Sequence, residues 1–442
     1  MSTITVIDGM PGLGKTSFAL QFMNDDIQSG FGSLESRMNY KYIFVTPYLN
    51  EADRISKGTN SVLKEPNDKK AINKYEHFID LIKGDESIVM SHNLFKSLSD
   101  SDFDWLKEKD YLLFMDEAPD VIEQISISKQ DIDILKKSKT IDVSDKKKVS
   151  WLHDEYNFTK FNRFYDVHKA SKKRDIYLNK TENNMFKLLS PKAFLSFKNV
   201  YILTYLFEGQ YLKYFFDFHE IPYCKKSIKK EGNKYELIEY DKNIEPRNKI
   251  QNLLNVYEDI QPKTGRPSKL NSNFNLRNLK EKNLLSVTWL EEANQDEIKI
   301  LKSNLNNYFR NKVPTHNSNI FWTSLKSRAS ELSHQKCKYD TNRDENNKKD
   351  EFDDNFLSIG TRATNAYSHC TAMAYIYNKF PIPSEITFFS QWDIQTNADL
   401  YAVSELLQFI FRGCIRNDEP MSCYIPSIRM RKLLYDWMEF KL

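Results

Sequence analysis

The amino-acid sequence predicts an α/β protein in which parallel β-sheets are flanked by helices. Short apolar runs alternate with helical patterns through the first 220 residues, which is typical of parallel strands joined by helices. A glycine-rich segment follows the first apolar run, and a second series of such runs begins near residue 319. The chain has 442 residues, 40% of them hydrophobic, so it is long enough for two or three domains with substantial cores.

The glycine-rich segment at residues 9–16 has the phosphate-binding P-loop pattern G-x-x-x-x-G-K-[ST]. Residues 3–7 predict a buried strand before it, and residues 17–23 predict a helix after it. The glycines let successive N–H groups point at one phosphate, and the helix dipole adds to that attraction. Lys15 is predicted to reach the β- and γ-phosphates, and Thr16 to bind Mg²⁺ through its hydroxyl. The predicted nucleotide-binding residues are Gly9, Met10, Pro11, Gly12, Leu13, Gly14, Lys15, Thr16 and Ser17.

Further strands of the same sheet are predicted at four apolar runs, which are residues 41–45, 87–90, 111–115 and 199–203. Each run is followed by polar residues. Because ligands bind at the carboxyl ends of parallel strands, we expect these polar residues to lie beside the P-loop. Asp116 and Glu117 end one run as a Walker B motif does. Asp116 is predicted to bind the Mg²⁺ that bridges the phosphates, and Glu117 to polarise the attacking water.

Two stretches of the sequence leave alternatives open. Residues 121–198 are rich in lysine and contain several aromatic residues, so they fit either a nucleic-acid-binding surface or a helical insertion with solvated lysines and its own small core. We prefer the insertion. Residues 241–315 predict mixed helix and polar linker, and residues 263–269 within them contain a Gly-Arg-Pro core like that of an AT-hook. An ordinary exposed turn is the preferred interpretation there.

The second half of the chain predicts its own domain, starting near residue 220. Strands are predicted at residues 235–240, 319–324, 355–359, 372–377 and 386–389, followed by one helix over residues 399–416. Gln408, Arg412 and Arg416 are spaced by four residues, which would place them on one helical face. Two arginines and a glutamine there suit a triphosphate, because arginine can grip phosphate oxygens and offset charge in the transition state. The alternative is surface arginines paired with acids such as Glu405.

Composition excludes several other classes of protein. The five cysteines are odd in number and form no C-x-x-C pair, so a disulfide framework or zinc site is not expected. No apolar run reaches the length of a membrane span, which predicts a soluble protein of the cytoplasm, or of the host cytoplasm if it is viral. The formal net charge of +3, from 64 basic and 61 acidic residues, neither requires nor excludes a nucleic-acid partner.

Together the motifs resemble those of superfamily 2 helicases, the DEAD/DEAH-like class, and the phage-type members look closest. The segments that match family motifs in order are residues 9–16, 46–47, 91–95, 116–118, 202–205, 319–324, 360–361 and 408–416. Residues 202–205 lack the Thr-Ala-Thr of the family's third motif. In the family the second arginine of the last motif follows the first by three residues, whereas Arg416 follows Arg412 by four.

The resemblance implies two RecA-like domains. The first is residues 1–219, with an insertion at about 121–198, and the second is residues 220–442, with an insertion at about 241–315 and an arginine-finger helix at 399–416. It implies ATP and Mg²⁺ as cofactors, and nucleic acid, above all single-stranded or tailed duplex DNA, as partner beside replication proteins. The catalytic residues it implies are Lys15, Asp116, Glu117, Gln408, Arg412 and Arg416.

The expected activity is that of an ATP-dependent DNA helicase or translocase, which couples hydrolysis of Mg-ATP to movement along or unwinding of nucleic acid in phage DNA replication or repair. Two alternatives stand beside it. A terminase-like packaging ATPase would need a carboxylate cluster in the second half, for which Asp353, Asp354, Asp393 and Asp399 are candidates. A nucleotide-dependent regulatory binding protein would bind nucleotide without moving along nucleic acid.

Overall fold

The chain folds into two compact units. The computed structural model describes residues 3–29, 40–47, 49–59, 62–68, 73–152, 163–260, 269–340, 354–359 and 366–442. Unit 1 consists of Met1–Lys242 and Ile382–Asn397, and unit 2 of Asn243–Pro381 and Ala398–Leu442. The predicted α/β class, with parallel sheets flanked by helices, is confirmed by the strand pairing of both units.

The elements alternate along the chain much as the apolar runs predict. The strands are β1 (Thr3–Asp8), β2 (Tyr42–Thr46), β3 (Ile88–Ser91), β4 (Leu112–Asp116), β5 (Ile122–Ile125), β6 (Ile141–Val143), β7 (Lys148–Trp151), β8 (Asp175–Leu178), β9 (Met185–Leu188), β10 (Asn199–Thr204), β11 (Cys224–Glu231), β12 (Lys234–Glu239), β13 (Leu254–Val256), β14 (Ile320–Thr323), β15 (Ala372–Tyr375) and β16 (Met421–Tyr424). The helices are α1 (Lys15–Ser29), α2 (Leu49–Gly58), α3 (Lys74–Lys83), α4 (His92–Lys96), α5 (Asp100–Lys107), α6 (Lys129–Lys137), α7 (Tyr165–Ser171), α8 (Lys192–Leu195), α9 (Tyr211–Phe218), α10 (Arg247–Leu253), α11 (Val287–Glu292), α12 (Gln295–Asn307), α13 (Lys326–Leu332), α14 (Pro383–Ser390), α15 (Ala398–Ile410) and α16 (Ile428–Met438).

The main sheet of unit 1 has seven strands in the order β12-β11-β1-β10-β4-β2-β3. All neighbours are parallel except β12, which pairs with β11 in the antiparallel sense. Strand β10 therefore separates the P-loop strand β1 from β4, and its Leu203 pairs with Ile7 on one side and Asp116 on the other. This register brings the carboxyl ends of β1 and β4 to the same level at one edge of the sheet.

Both faces of this sheet are covered, which explains why its strands are continuous apolar runs rather than alternating ones. Along β4, Leu113 and Met115 point into one hydrophobic cluster, while Leu112 and Phe114 point into the other. Successive side chains of a strand face opposite sides of the sheet, so each face receives half of the run. The buried strands predicted in the first half of the chain are therefore confirmed.

The insertion after β4 carries a second sheet that the sequence analysis did not predict. Its five short strands are antiparallel, in the order β5-β9-β8-β7-β6, and they lie beside α6 and α7. The insertion has its own core, which includes Ile132, Leu135 and Leu178. Three lysines of its two lysine clusters are paired, because Lys136 and Lys147 both bind Glu182 and Lys148 binds Asp175. This pairing favours the insertion over the nucleic-acid-binding interpretation of the lysine-rich stretch.

Two segments from the predicted second domain belong to unit 1. The strand predicted at residues 235–240 is β12, so unit 1 continues to Lys242 instead of ending near residue 220. The strand predicted at residues 386–389 is instead part of helix α14, so that prediction is wrong. A short run of β-branched and aromatic residues is ambiguous between strand and buried helix. Here Phe388 and Phe389 pack against Phe218 of α9.

The segment that contains α14 is held at both ends by tyrosines of α9. The hydroxyl of Tyr211 accepts a hydrogen bond from the backbone N–H of Ile382 at 2.9 Å. The hydroxyl of Tyr214 accepts one from Asn397 at 2.7 Å. Tyr211 also hydrogen-bonds to the carboxylate of Glu385, whose side chain is only 5% exposed. Burial above all, together with the charges of Asp120 and Glu123, raises the pKa of Glu385 to about 7, against the opposing effect of the hydrogen bond with Tyr211.

Replacing Glu385 with Gln is expected to stabilise unit 1 at pH 8 and to have little effect at pH 5. The folded protein holds a proton on Glu385 up to about pH 7, whereas the unfolded chain releases it near the ordinary value of 4.5. Ionised Glu385 therefore destabilises the fold increasingly between these two pH values, by up to about 3 kcal/mol. Urea unfolding at both pH values measures the free energy of unfolding of the variant and of the original protein, with the exposed Glu220→Gln as control. If Glu385→Gln changes this free energy by the same amount at pH 5 and pH 8, the raised pKa of Glu385 is contradicted.

Unit 2 is built on a smaller parallel sheet of four strands in the order β13-β16-β15-β14. Strands β14 and β15 confirm the predictions at residues 319–324 and 372–377. Residues 355–359 form no strand, since only an isolated bridge joins Phe356 to Trp322. Among the residues that the structure describes, no helix is long and apolar enough to span a membrane.

Candidate functional site

The P-loop connects β1 to α1 at the carboxyl edge of the main sheet. Gly12 and Gly14 have φ angles of +91° and +94°, which only glycine adopts readily, so the loop depends on both. Helix α1 begins at Lys15 and has no acidic residue in its first turn, so nothing there opposes an anion. The ammonium of Lys15 donates to the carbonyl oxygens of Gly9 and Met10, the latter at 3.2 Å. The lysine thus lies across the loop where a phosphate would be bound.

The acidic pair lies near this loop, as the sequence predicts. Asp116 ends β4, and burial together with the charge of Glu117 raises the pKa of its carboxyl to about 7, while the charge of Lys15 lowers it. The mutual influence of Lys15 and Asp116 means that the two motifs share one electrostatic environment. Asp116 and Glu117 supply carboxylate oxygens and Thr16 a hydroxyl oxygen, the kinds of donor that Mg²⁺ prefers, so these residue types fit the predicted ion.

The backbone at Glu117 is held in an unusual conformation. Its φ angle is +61°, a left-handed value that costs energy for any residue other than glycine. A hydrogen bond of 2.9 Å from its N–H to the carbonyl of Leu203 holds it there. Such strain is maintained only where the surroundings impose it, and it is common at functional sites. The strand β10 that supplies Leu203 thus orients the predicted water-polarising residue.

His92 is a supporting residue whose position the sequence analysis did not predict. The resemblance to helicases implies that Ser91 and His92 contact nucleic acid, but His92 is only 6% exposed, and its Nε2 lies 2.9 Å from the backbone carbonyl of Asp116. Ser91 caps helix α4 by accepting a hydrogen bond from Leu94. The resemblance implies the same contact for Thr323 and Ser324, whose side chains are buried as well. These groups do not have the surface positions that direct contact with nucleic acid requires.

A β-hairpin forms the other side of the P-loop and was missed in the sequence analysis. Strand β11 pairs with β1 up to Ile7, and then continues for five residues beyond Lys226, the partner of Ile7. Strand β12 returns along it, with Tyr235 opposite Lys230. A Cβ atom placed on Gly14 would lie only 2.2 Å from the ring of Tyr235, so the ring lies directly against the loop. The only sequence signal was an alternating strand pattern, which does not indicate its partner.

The predicted arginine helix is shorter than expected. Helix α15 ends at Ile410, so only Gln408 lies on it, and the single helical face proposed for Gln408, Arg412 and Arg416 is wrong. Arg412 lies in the turn that follows and is 5% exposed, whereas Arg416 is exposed in a 3-10 helix, Cys414–Asn417. Glu405 was the suggested partner of these arginines if they lie at the surface. Its carboxylate is 3.7 Å from the ammonium of Lys379.

Gly413 fixes the position of the turn that carries Arg412. A Cβ atom there would lie 2.4 Å from Sδ of Met421 and 2.9 Å from the ring of Phe321, so no larger residue fits. The next residue, Cys414, donates its N–H to the carbonyl of Cys370 at 3.0 Å, just before β15 begins. The turn is therefore packed against the amino-terminal edge of the sheet of unit 2, which orients Arg412 relative to that sheet.

Several other predicted features are not supported by the described residues or lie outside them. Three predicted features lie outside the described part of the chain: residues 263–268 of the AT-hook-like stretch, the helicase-like segment at residues 360–361, and Asp353. Asp399 pairs with Arg429 at 2.7 Å, and Asp354 accepts a hydrogen bond from the N–H of Phe356. Within the described ranges, no group of three or more His, Cys, Asp or Glu residues could hold a metal ion.

Comparisons with known proteins agree with the fold of unit 2 and identify a relative that matches almost all of this chain. Residues 248–438 match the family model of the YonV C-terminal Rossmann-like domain. The chain is 29% identical, over 453 residues covering 99% of both proteins, to the SPbeta prophage-derived uncharacterized protein YonV of Bacillus subtilis (strain 168).

Two solved structures resemble the whole chain at low similarity. The Xpd4 protein of S. tokodaii is 14% identical, with a TM-score of 0.49, over 99% of this chain and 94% of its own. An XPD protein in its apo form is 12% identical, with a TM-score of 0.49, over 98% of this chain and 95% of its own. Similarity at this level carries no argument about activity, which is therefore derived from the residues of the site.

Proposed function

We propose that this protein is an ATP-dependent nucleic-acid translocase or helicase that hydrolyses Mg-ATP. The observation that carries the proposal is the arrangement of the P-loop and the acidic pair at the same edge of one sheet, close enough for Lys15 to influence the pKa of Asp116. This arrangement supports hydrolysis of a nucleoside triphosphate. The proposal of movement along nucleic acid rests on the series of helicase-like motifs that follows in both halves of the sequence.

Each residue of unit 1 has a distinct role in the proposed reaction. The N–H groups of the P-loop and the start of α1 bind the phosphate chain, and Lys15 exchanges the carbonyls of Gly9 and Met10 for phosphate oxygens. Thr16 and Asp116 are the residues that would hold Mg²⁺, which neutralises charge on the phosphates when bound. Glu117, oriented by its backbone bond to Leu203, polarises the attacking water.

The positive charge in this proposal comes from the helicase-like segment at residues 408–416. Arg412 is the first candidate for stabilising the transition state, because Gly413 fixes the turn that carries it. The exposed Arg416 is the second candidate, and Gln408 on α15 is a further polar residue of the same motif. A role in phage DNA replication or repair is suggested only by the prophage origin of the relative from Bacillus subtilis.

The proposal is tested by measuring ATP turnover with and without single-stranded DNA. Turnover is expected to rise when DNA is added and to saturate with DNA concentration, and matched single-stranded RNA shows which nucleic acid is preferred. Strand displacement on 3′- and 5′-tailed duplexes then reports unwinding and its polarity. Turnover that no nucleic acid stimulates would contradict the translocase and favour the regulatory binding protein, whereas Mn²⁺-dependent nicking of plasmid DNA would favour the terminase-like alternative.

A further inference from the structure

The position of the acidic pair indicates the direction in which a bound nucleotide extends. Strand β1 has two neighbours in the sheet, β10 and β11, and Asp116 and Glu117 lie beyond β10 at the end of β4. The terminal phosphate must point toward these carboxylates, because the ion and the attacking water are bound there. The nucleoside at the opposite end of the phosphate chain is therefore directed away from β4, toward the side of the loop where β11 and β12 lie.

The hairpin of β11 and β12 forms a wall at that place. Because Tyr235 pairs with Lys230, four residues beyond the partner of Ile7, it lies about 14 Å past the level of Ile7 along the strand direction. Ile228 lies beside Gly9 and the ring of Tyr235 beside Gly14, so the hairpin borders the loop from its first glycine to its last. The hairpin therefore rises from the sheet alongside the whole phosphate-binding segment.

Tyr235 is fixed in this position by helix α1. The side chain of Gln21 accepts a hydrogen bond from the N–H of Tyr235 at 2.8 Å and donates one to its carbonyl at 3.0 Å. Lys230 lies opposite on β11, with its ammonium 5.5 Å from the centre of the Tyr235 ring. The backbone of Tyr235 is thus held beside the loop, and its ring is half-buried and next to a cation.

We propose that Tyr235 is the platform on which the nucleobase of the bound nucleotide stacks, an inference that rests on the proposed binding of nucleotide by the P-loop. Every base has a flat π-face, so stacking contributes affinity without selecting a particular base. Stacking on Tyr235 alone therefore predicts that purine and pyrimidine nucleotides bind with similar affinity.

The experiment compares binding of Mg-ADP and of inorganic tripolyphosphate with Mg²⁺, by calorimetry, in the full chain. Tyr235→Leu, which keeps an apolar side chain against Gly14, is expected to weaken ADP binding by about tenfold to a hundredfold and to leave tripolyphosphate binding unchanged. Tyr235→Phe is expected to bind both as the original protein does. Tyr240→Leu, which alters another tyrosine at the base of the hairpin, is the matched control, and GDP and CDP are expected to bind within a few-fold of ADP.

The possible results separate this inference from the proposed function. Equal weakening of ADP and tripolyphosphate in Tyr235→Leu would show that the ring only supports the loop, and unchanged ADP binding would show that it does not touch the base; either result overturns the inference. If the original protein binds neither ligand, the P-loop assignment and this inference both fail. If Tyr235→Leu weakens ADP binding selectively but no nucleic acid stimulates turnover, the proposed translocase activity is rejected and the stacking role of Tyr235 is retained.

Discussion

Replacing Lys15 with Ala is expected to abolish measurable ATP hydrolysis while both units remain folded. The Lys15 ammonium donates hydrogen bonds to carbonyls of the loop, and its side chain is half-buried. Its removal takes away a positive charge directed at the β- and γ-phosphates, and loss of one such group costs about 10²–10³ in kcat. It also removes the charge that lowers the pKa of Asp116, which further favours protonation of the predicted Mg²⁺ ligand.

The appropriate control for Lys15→Ala is Lys57→Ala, which removes an exposed lysine paired with Asp53 on α2. Steady-state turnover and thermal unfolding are measured for both variants. Both should unfold within about 0.5 kcal/mol of the original protein, since neither lysine contributes to a core. Undiminished turnover in Lys15→Ala would contradict the assignment of the P-loop and, with it, hydrolysis at this site.

The features of unit 1 that could be predicted from sequence are those with local signals. The P-loop is identified by eight consecutive residues between a strand and a helix, and the acidic pair by its place at the end of an apolar run. Strand positions follow from hydrophobic runs, and parallel pairing then fixes which strand ends meet. The proximity of Lys15 and Asp116 could therefore be predicted from the sequence. Ligands bind at the carboxyl ends of parallel strands, and this holds whatever the order of the strands in the sheet.

The features that could not be predicted depend on contacts between residues far apart in sequence. Gln21 and Tyr235 are 214 positions apart, and nothing in either segment indicates that the hairpin pairs with the edge of the P-loop strand. The same holds for the segment around α14, which packs on α9. Ile382 and Tyr211, which join the two by a hydrogen bond, are 171 positions apart. In the insertion, the strands are only three or four residues long, too short for an alternating pattern to be distinguished among lysines.

The end of α15 could have been predicted more accurately. Apolar periodicity extends through Phe411, and the four-residue spacing of the polar residues suggested that the helix continued. Gly413, however, lies just beyond the last periodic residue, and glycine in that position is a common signal for a helix end. Because the chain turns there, Arg412 and Arg416 differ in burial instead of sharing a face.

Because Gly413 fixes the turn that carries Arg412, while Arg416 lies beyond that turn, replacing the two arginines is expected to have effects of different size. Arg412→Ala is expected to lower ATP turnover by about 10³-fold or more, the effect of removing an arginine that offsets charge in phosphoryl transfer. Arg416→Ala is expected to change turnover only a few-fold, because Arg416 is exposed in the 3-10 helix beyond Gly413. Neither change should alter the affinity of unit 1 for ADP, since no residue of the P-loop is affected.

Arg412→Lys and Arg412→Gln separate a loss of charge from a loss of packing. Arg412 is only 5% exposed, so its removal also destabilises unit 2, and unfolding must be followed beside turnover. If charge matters, Lys retains part of the activity that Gln loses, although both keep a long side chain in the same turn. Equal turnover of the Lys and Gln variants, or a larger loss in Arg416→Ala than in Arg412→Ala, would assign the role to another residue.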